Sequence, residues 1–102
     1  MGNSKGLHVG CAPDTFLGAG IQEAKKIIDQ NEIGKINIGS ISMGVAGHEI
    51  WHPNPDFYYK YGGGPILDMG PYYFTALVNL LGPAKNVFTQ SRTVYQKRVI
   101  GS

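Results

Sequence analysis

The run Gly62-Gly63-Gly64-Pro65 constrains the fold of this chain more than any other feature of its sequence. Glycine gives the backbone freedom that no other residue has, and proline suits the first turn of a helix. Residues 65–81 are apolar at most positions, and Gly82-Pro83 follows them. The pattern predicts a buried helix from about Pro65 to Leu81 that the chain enters through a flexible hinge.

One polar stripe interrupts this apolar helix. Asp68, Tyr72, Thr75 and Asn79 follow one another at spacings of four, three and four, so on a helix they share one face. Asp68 has two interpretations: it interacts with the helix dipole in the first turn, or it forms a proton-handling pair with Tyr72 in a cleft. The sequence alone does not decide between these two interpretations, although four aligned polar side chains favour a helix face that contacts water.

The remaining pattern predicts a second helix and two or three strands. Apolar residues recur at helical spacing from Leu17 to Ile28, and Gly34 is a suitable stop. Apolar residues alternate along residues 36–46 with a shift of phase across Gly39, which indicates a strand with a bulge or a strand buried on both faces. Residues from about 87 to 95 are rich in β-branched and aromatic residues and predict a second strand, and residues 7–10 could add a short one. The expected fold class is therefore α/β (α+β), part of an open mixed sheet, with two helices packed on two to three strands.

A long loop rich in aromatic residues, residues 47–61, lies between the predicted strand 36–46 and the helix predicted from about Pro65 to Leu81. His48 and His52 are four apart, which on a helix would suggest a metal site, but Pro53 and Pro55 disfavour a helix there. Polar residues of the surface or of a cleft are the better interpretation of these two histidines. His52 can hydrogen-bond a substrate hydroxyl, and Trp51 can stack on a sugar-like ring.

Composition limits the function classes. The net charge of +2 is too small to argue for nucleic acid or a membrane surface, and no apolar run reaches membrane-spanning length. The single cysteine, Cys11, excludes an internal disulfide framework and favours a reducing, cytoplasmic location. A charged content of 16% suggests that part of the surface is covered by a partner, and exposed strand edges predict a homo-oligomer.

A nucleotide fingerprint is not complete in this sequence. Gly18-Ala19-Gly20 begins like one, but Glu23 stands at the third glycine position. No acidic residue ends the next predicted strand, where recognition of a ribose would need one. The interpretation as a helix start is therefore preferred, and no cofactor site is expected in this chain.

Residues 62–72 resemble the second signature of the Gfo/Idh/MocA oxidoreductase family, in which a GGG-x-x-x-D-x-G-x-H pattern opens the helix that lines the active site. Residues 24–36 are similar to the first helix after that family's nucleotide domain, and residues 79–83 to its helix end. The resemblance extends over about residues 9–96. It implies an N-terminal Rossmann domain that binds NAD or NADP, and a C-terminal α/β substrate domain.

Residues 1–8 are expected to form a flexible start, and the resemblance implies a partial C-terminal substrate domain at 9–102. The Rossmann domain, with the lysine of its Glu-Lys-Pro motif, is absent from this sequence and would be its partner. The expected function is a fragment of an NAD(P)-dependent oxidoreductase acting on a sugar or polyol-like substrate, inactive in isolation. The alternative is a stand-alone, non-catalytic binding or oligomerisation module of the same fold.

The resemblance also assigns site residues. Asp68 matches the family's active-site aspartate, and Tyr72 stands where many members have the catalytic histidine. A phenol is a poorer base than an imidazole at neutral pH, so Tyr72 is expected to position substrate or to assist in moving its hydroxyl proton. Trp51, His52, Asn54 and Thr75 are the predicted substrate-binding residues.

Overall fold

The computed structural model describes residues 3–100, and all regular secondary structure in that range is helical. Three short 3-10 turns occur at Asn3–Lys5, Asp14–Leu17 and His48–Ile50. The four α-helices are α1 (Ala19–Asp29), α2 (Asp56–Tyr59), α3 (Pro65–Asp68) and α4 (Gly70–Leu81).

Helix α1 forms where the sequence pattern predicts it. Its apolar side chains at Ile21, Ala24 and Ile28 lie half-buried on one side. On the outer side Lys25 pairs with Asp29 one turn later. The helix ends at Asp29 because the chain then turns through residues of positive φ, first Asn31 and then Gly34.

The single helix predicted for residues 65–81 is in fact two helices, α3 and α4, separated by Met69. Proline explains the interruption. Pro71 has no N–H to donate to the carbonyl of Leu67, and its ring crowds that carbonyl. Beyond the break, α4 continues to Gly82, whose φ of 88° ends the helix in a conformation that favours glycine.

The prediction of an α/β (α+β) fold is wrong for residues 3–100, which contain no strand; helices and turns account for 41% of the chain. Residues 7–10, 36–46 and 87–95 were the expected strands, and each runs as irregular chain. A strand is stable only when its N–H and C=O groups meet a neighbouring strand, and an isolated two-stranded pair is marginal in water. Ile38 and Phe88 accordingly remain exposed.

The flexible start predicted for residues 1–8 falls partly outside the described part, which begins at residue 3 with the turn Asn3–Lys5. The structure does not test the domain division at residue 9. No helix in residues 3–100 is long and apolar enough to cross a membrane.

The packing has two parts that meet at α4. On one side α4 contacts α1 and the turn Asp14–Leu17, and on the other it contacts α3. The core is thin: Tyr58 and Ala76 are the buried hydrophobic residues of the described chain. The radius of gyration is 17.8 Å, against about 13 Å for a compact chain of 100 residues. Much apolar surface therefore faces solvent.

We predict that the chain self-associates through the outer face of α4, where Phe74, Val78 and Leu81 are exposed beside an apolar cavity of about 530 Å³. Light scattering should show a concentration-dependent rise in mass. Val78→Lys should reduce it, because a lysine cannot be buried without a partner. Val9→Lys, at an exposed position outside that cavity, is the matched control; a monomer at high concentration contradicts the prediction.

Candidate functional site

The glycine hinge passes close to the backbone of α2. Gly63 donates its N–H to the carbonyl of Lys60 at 2.9 Å. A Cβ atom at Gly63 would lie 2.7 Å from the carbonyl oxygen of Tyr58, which is closer than real Cβ atoms approach. Only glycine fits this position, and the tight turn delivers Asp68 to the loop that carries His48.

His48 and Asp68 form the centre of the site. The Nε2 atom of His48 lies 3.7 Å from Oδ2 of Asp68, so the two groups form an ion pair when the imidazole is protonated. The side chain of His48 is 9% exposed and that of Asp68 is 36% exposed. The carboxylate is therefore the accessible member of the pair, and the imidazole lies behind it. The second ring nitrogen, Nδ1, is buried and has no hydrogen-bond partner in the protein.

Aromatic rings enclose the imidazole. Tyr58, itself buried, stacks on His48 with ring centroids 3.7 Å apart and planes 15° from parallel. Trp51 lies 4.8 Å away in a tilted arrangement, and the edge of Phe57 meets the ring at 6.2 Å. Burial raises the pKa of the Tyr58 phenol, and the charge of Asp68 raises it further. The Tyr58 side chain that covers one face of His48 is therefore uncharged at physiological pH.

A second polar network fixes the backbone of the same turn. The hydroxyl of Tyr59 donates to Glu49 and accepts the backbone N–H of His48 at 3.1 Å. Arg98, distant in sequence, donates to Glu49 and, at 2.8 Å, to the carbonyl of Ala46. The hydrogen bond from Tyr59, with help from Arg98, holds the pKa of the Glu49 carboxyl below its ordinary value. The network thus positions His48 through its main chain.

Gly47, immediately before His48, is also required by geometry. Its φ of 150° lies in the region that favours glycine. A Cβ atom there would collide with the side chains of Glu49 and Arg98. Glycine is therefore needed at position 47, where the paired side chains of Glu49 and Arg98 lie against the backbone.

Within residues 3–100, Asp68 and Tyr72 share no side-chain hydrogen bond, and Asp68 lies beside His48. The proton-handling role of the two residues stays a prediction. The helix break at Met69 comes between them. Asp68, Tyr72, Thr75 and Asn79 are all half-buried. They remain a polar stripe, and its first member is paired with His48 instead.

The predicted substrate-binding residues of the loop lie together near His48. Trp51 is exposed, and its ring meets that of His52 at 5.3 Å. The N–H of Asn54 donates to Nδ1 of His52 at 3.0 Å, so a neutral His52 carries its proton on Nε2. His52 and Asn54 line a cavity of about 280 Å³. Thr75, on α4, does not line that cavity.

Sequence reasoning missed His48 as a member of the site. Its partner Asp68 is twenty residues away in the chain, and no periodicity relates a loop residue to a helix residue. The one usable signal was composition: a histidine among Trp51, Phe57 and Tyr58, in a loop too long to be a simple connection.

The segment Gly18 to Gly20 lacks the backbone context of a dinucleotide-binding turn. Gly18 to Gly20 lead into α1, but a 3-10 turn precedes them, where a dinucleotide site has the end of a strand. Residues 3–100 contain no group of three or more His, Cys, Asp or Glu side chains arranged to hold a metal ion.

We predict that one tyrosine titrates late in an alkaline titration followed by phenolate absorbance. The raised pKa of Tyr58 stabilises the fold below the ordinary tyrosine pKa of about 10, and that contribution is lost as pH rises through the folded value. Tyr58→Phe should remove the late step. Asp68→Asn should lower the pKa of Tyr58, because it removes the nearby negative charge. Asp29→Asn is the control; equal effects of the two asparagine variants contradict the assignment.

Comparison with protein families matches residues 21–100 to the GFO/IDH/MocA C-terminal domain. A search of curated proteins and a search of solved structures gave no match. The matched range contains the glycine hinge, the paired His48 and Asp68, and the Glu49–Arg98 network. Family members usually bind NAD(P) through an N-terminal domain. The chain belongs to the GFO/IDH/MocA family and corresponds to its C-terminal domain.

Proposed function

We propose that this chain is the substrate-binding part of an NAD(P)-dependent oxidoreductase that acts on a sugar or polyol-like substrate. The observation that supports it best is the half-exposed Asp68 backed by the buried His48 at 3.7 Å. Oxidation of an alcohol to a carbonyl removes a hydride and a proton. NAD or NADP, held by another domain, would supply the hydride chemistry.

The chain's own contribution is to receive the hydroxyl proton. Asp68 is the group that substrate can reach, because its side chain is the more exposed of the two. His48 stands behind it at 3.7 Å, and the Asp68 carboxylate receives the proton from the hydroxyl. The 3.7 Å separation can shorten when substrate binds, since catalytic hydrogen bonds are often long in free enzymes. The ring of Tyr58 excludes water from the imidazole.

The remaining predicted residues position substrate in this proposal. Trp51 offers an exposed ring face on which a sugar can stack. His52 presents Nε2–H as a donor, and Asn54 supplies its amide at the cavity that both residues line. Tyr72 and Thr75 extend the polar stripe from Asp68 along α4 and bind substrate hydroxyls without taking the proton.

The proposal also includes a cytoplasmic location and a homo-oligomer. A free, exposed Cys11 suits a reducing compartment. The exposed side chains of α4 suit a partner surface. The second candidate function, a non-catalytic binding or oligomerisation module, is favoured by the same apolar face. It would need neither the His48–Asp68 pair nor a cofactor.

The decisive test uses the protein encoded by the whole reading frame that contains this segment. We expect NAD(P)-dependent oxidation of at least one member of a sugar and polyol panel. Asp68→Asn should lower kcat by about 10²- to 10⁴-fold, the usual contribution of general acid–base catalysis. His48→Asn should show a smaller loss, and Tyr72→Phe should raise KM with little change in kcat.

Asp29→Asn, an exposed carboxylate of α1, is the matched control and should leave kcat unchanged. Calorimetry on the 102-residue chain alone should detect no saturable NAD(P) binding. Full activity of Asp68→Asn would contradict the proton-transfer role. Inactivity across the panel, together with unchanged oligomerisation in every variant, would favour the non-catalytic module.

A further inference from the structure

A separate cavity of about 420 Å³ lies on the side of Tyr58 and Tyr59 where the chain approaches its end. Its volume is within the range of small-molecule sites, about 300–1,000 Å³. Residues 43–47 form one wall, and the segment that contains Arg92, Tyr95 and Arg98 forms another. The further lining residues are Pro65 and Val94.

The two arginines of this cavity differ in their availability. Arg98 is committed, because it pairs with Glu49 and donates to Ala46. Its guanidinium also lies 5.4 Å from the ring of Tyr95 and 5.8 Å from that of Tyr59. Arg92 is exposed and has no ion pair or hydrogen bond to its side chain among residues 3–100. The cavity therefore holds one guanidinium that is free to bind an anion.

The residues that line the cavity favour a small, partly apolar ligand. Tyr58, Tyr59 and Tyr95 present aromatic surface, and Met43 and Val45 add aliphatic surface. The negative charge of Glu49 is neutralised by Arg98, so it does not repel an anion that enters the cavity. A single planar guanidinium fork matches the two oxygens of one carboxylate.

We propose that this cavity binds a carboxylate carried on a small ring, with the carboxylate on Arg92 and the ring against the tyrosines. If this ligand is the substrate of the enzyme, the substrate is a sugar acid; that part of the proposal rests on the proposed function. Tyr58 connects the two sites, because it lines the cavity and stacks on His48 at 3.7 Å. A ring anchored by Arg92 would rest against Tyr58, the residue that the cavity shares with the His48 stack.

The test is a binding titration of the 102-residue chain by heteronuclear NMR, without cofactor. D-glucuronate and D-glucose form a matched pair of probes that differ in the carboxylate. We expect glucuronate to shift the signals of Arg92, Tyr95 and residues 43–47, and glucose to bind at least about tenfold more weakly, because it lacks the charge-assisted pair. Inorganic phosphate is the third probe and should bind more weakly than glucuronate.

Arg92→Gln should weaken glucuronate binding by about tenfold or more, and Arg92→Lys should restore part of it, since lysine keeps the charge without the fork. Lys97→Gln removes a charge from the same segment at a residue that does not line the cavity, and should have little effect. The dispersion of the amide signals reports whether each variant keeps its fold. If Arg92→Gln loses this dispersion, the affinities of Arg92→Lys and of the wild-type chain for glucuronate are compared instead, and a weaker affinity of Arg92→Lys supports the proposal.

Equal affinity for glucuronate and glucose would overturn the inference, as would equal losses in Arg92→Gln and Lys97→Gln. Tighter binding of phosphate than of glucuronate would overturn the carboxylate class. None of these outcomes depends on hydride transfer. Failure of the binding test therefore leaves the oxidoreductase proposal standing, and an inactive whole protein leaves the binding site standing.

Discussion

The stack of His48 on Tyr58 beside Asp68 is the interaction on which the rest of this structure depends. An imidazole that is removed from water needs compensation, and here one face has an aromatic ring while Nε2 faces a carboxylate. Those partners come from three segments: the turn His48–Ile50, α2 and α3. In a chain with so thin a core, the site also contains the buried side chains of Tyr58 and His48.

Two glycine residues and one network of charged and hydrogen-bonded side chains bring these segments together. Gly63 lets the hinge before α3 pass closer to the carbonyl of Tyr58 than a residue with a Cβ atom could, and Gly47 leaves room for the Arg98–Glu49 pair. That pair lies in water-accessible surroundings, where an ion pair contributes little to stability alone. Its importance is geometric, because Tyr59 connects Glu49 to the N–H of His48.

The sequence indicated local structure well and distant contacts poorly. Helical period located α1 and α4, and the polar stripe included Asp68, which lies beside His48 in the structure. The strands at residues 36–46 and 87–95 were predicted wrongly, because β propensity does not supply the partner strand that a ladder requires. The His48–Asp68 pair was missed because it depends on the close approach at Gly63, which no spacing rule contains.

The central claim, that a buried His48 stacks on Tyr58 beside Asp68, can be measured directly from the ring protons of the histidines by NMR. His8 is exposed and serves as an internal reference in the same molecule. The ring current of Tyr58 should move the His48 ring signals upfield of those of His8, and Tyr58→Leu should abolish the difference. Identical ring shifts for His8 and His48 in the wild-type chain would contradict the stack and the site built on it.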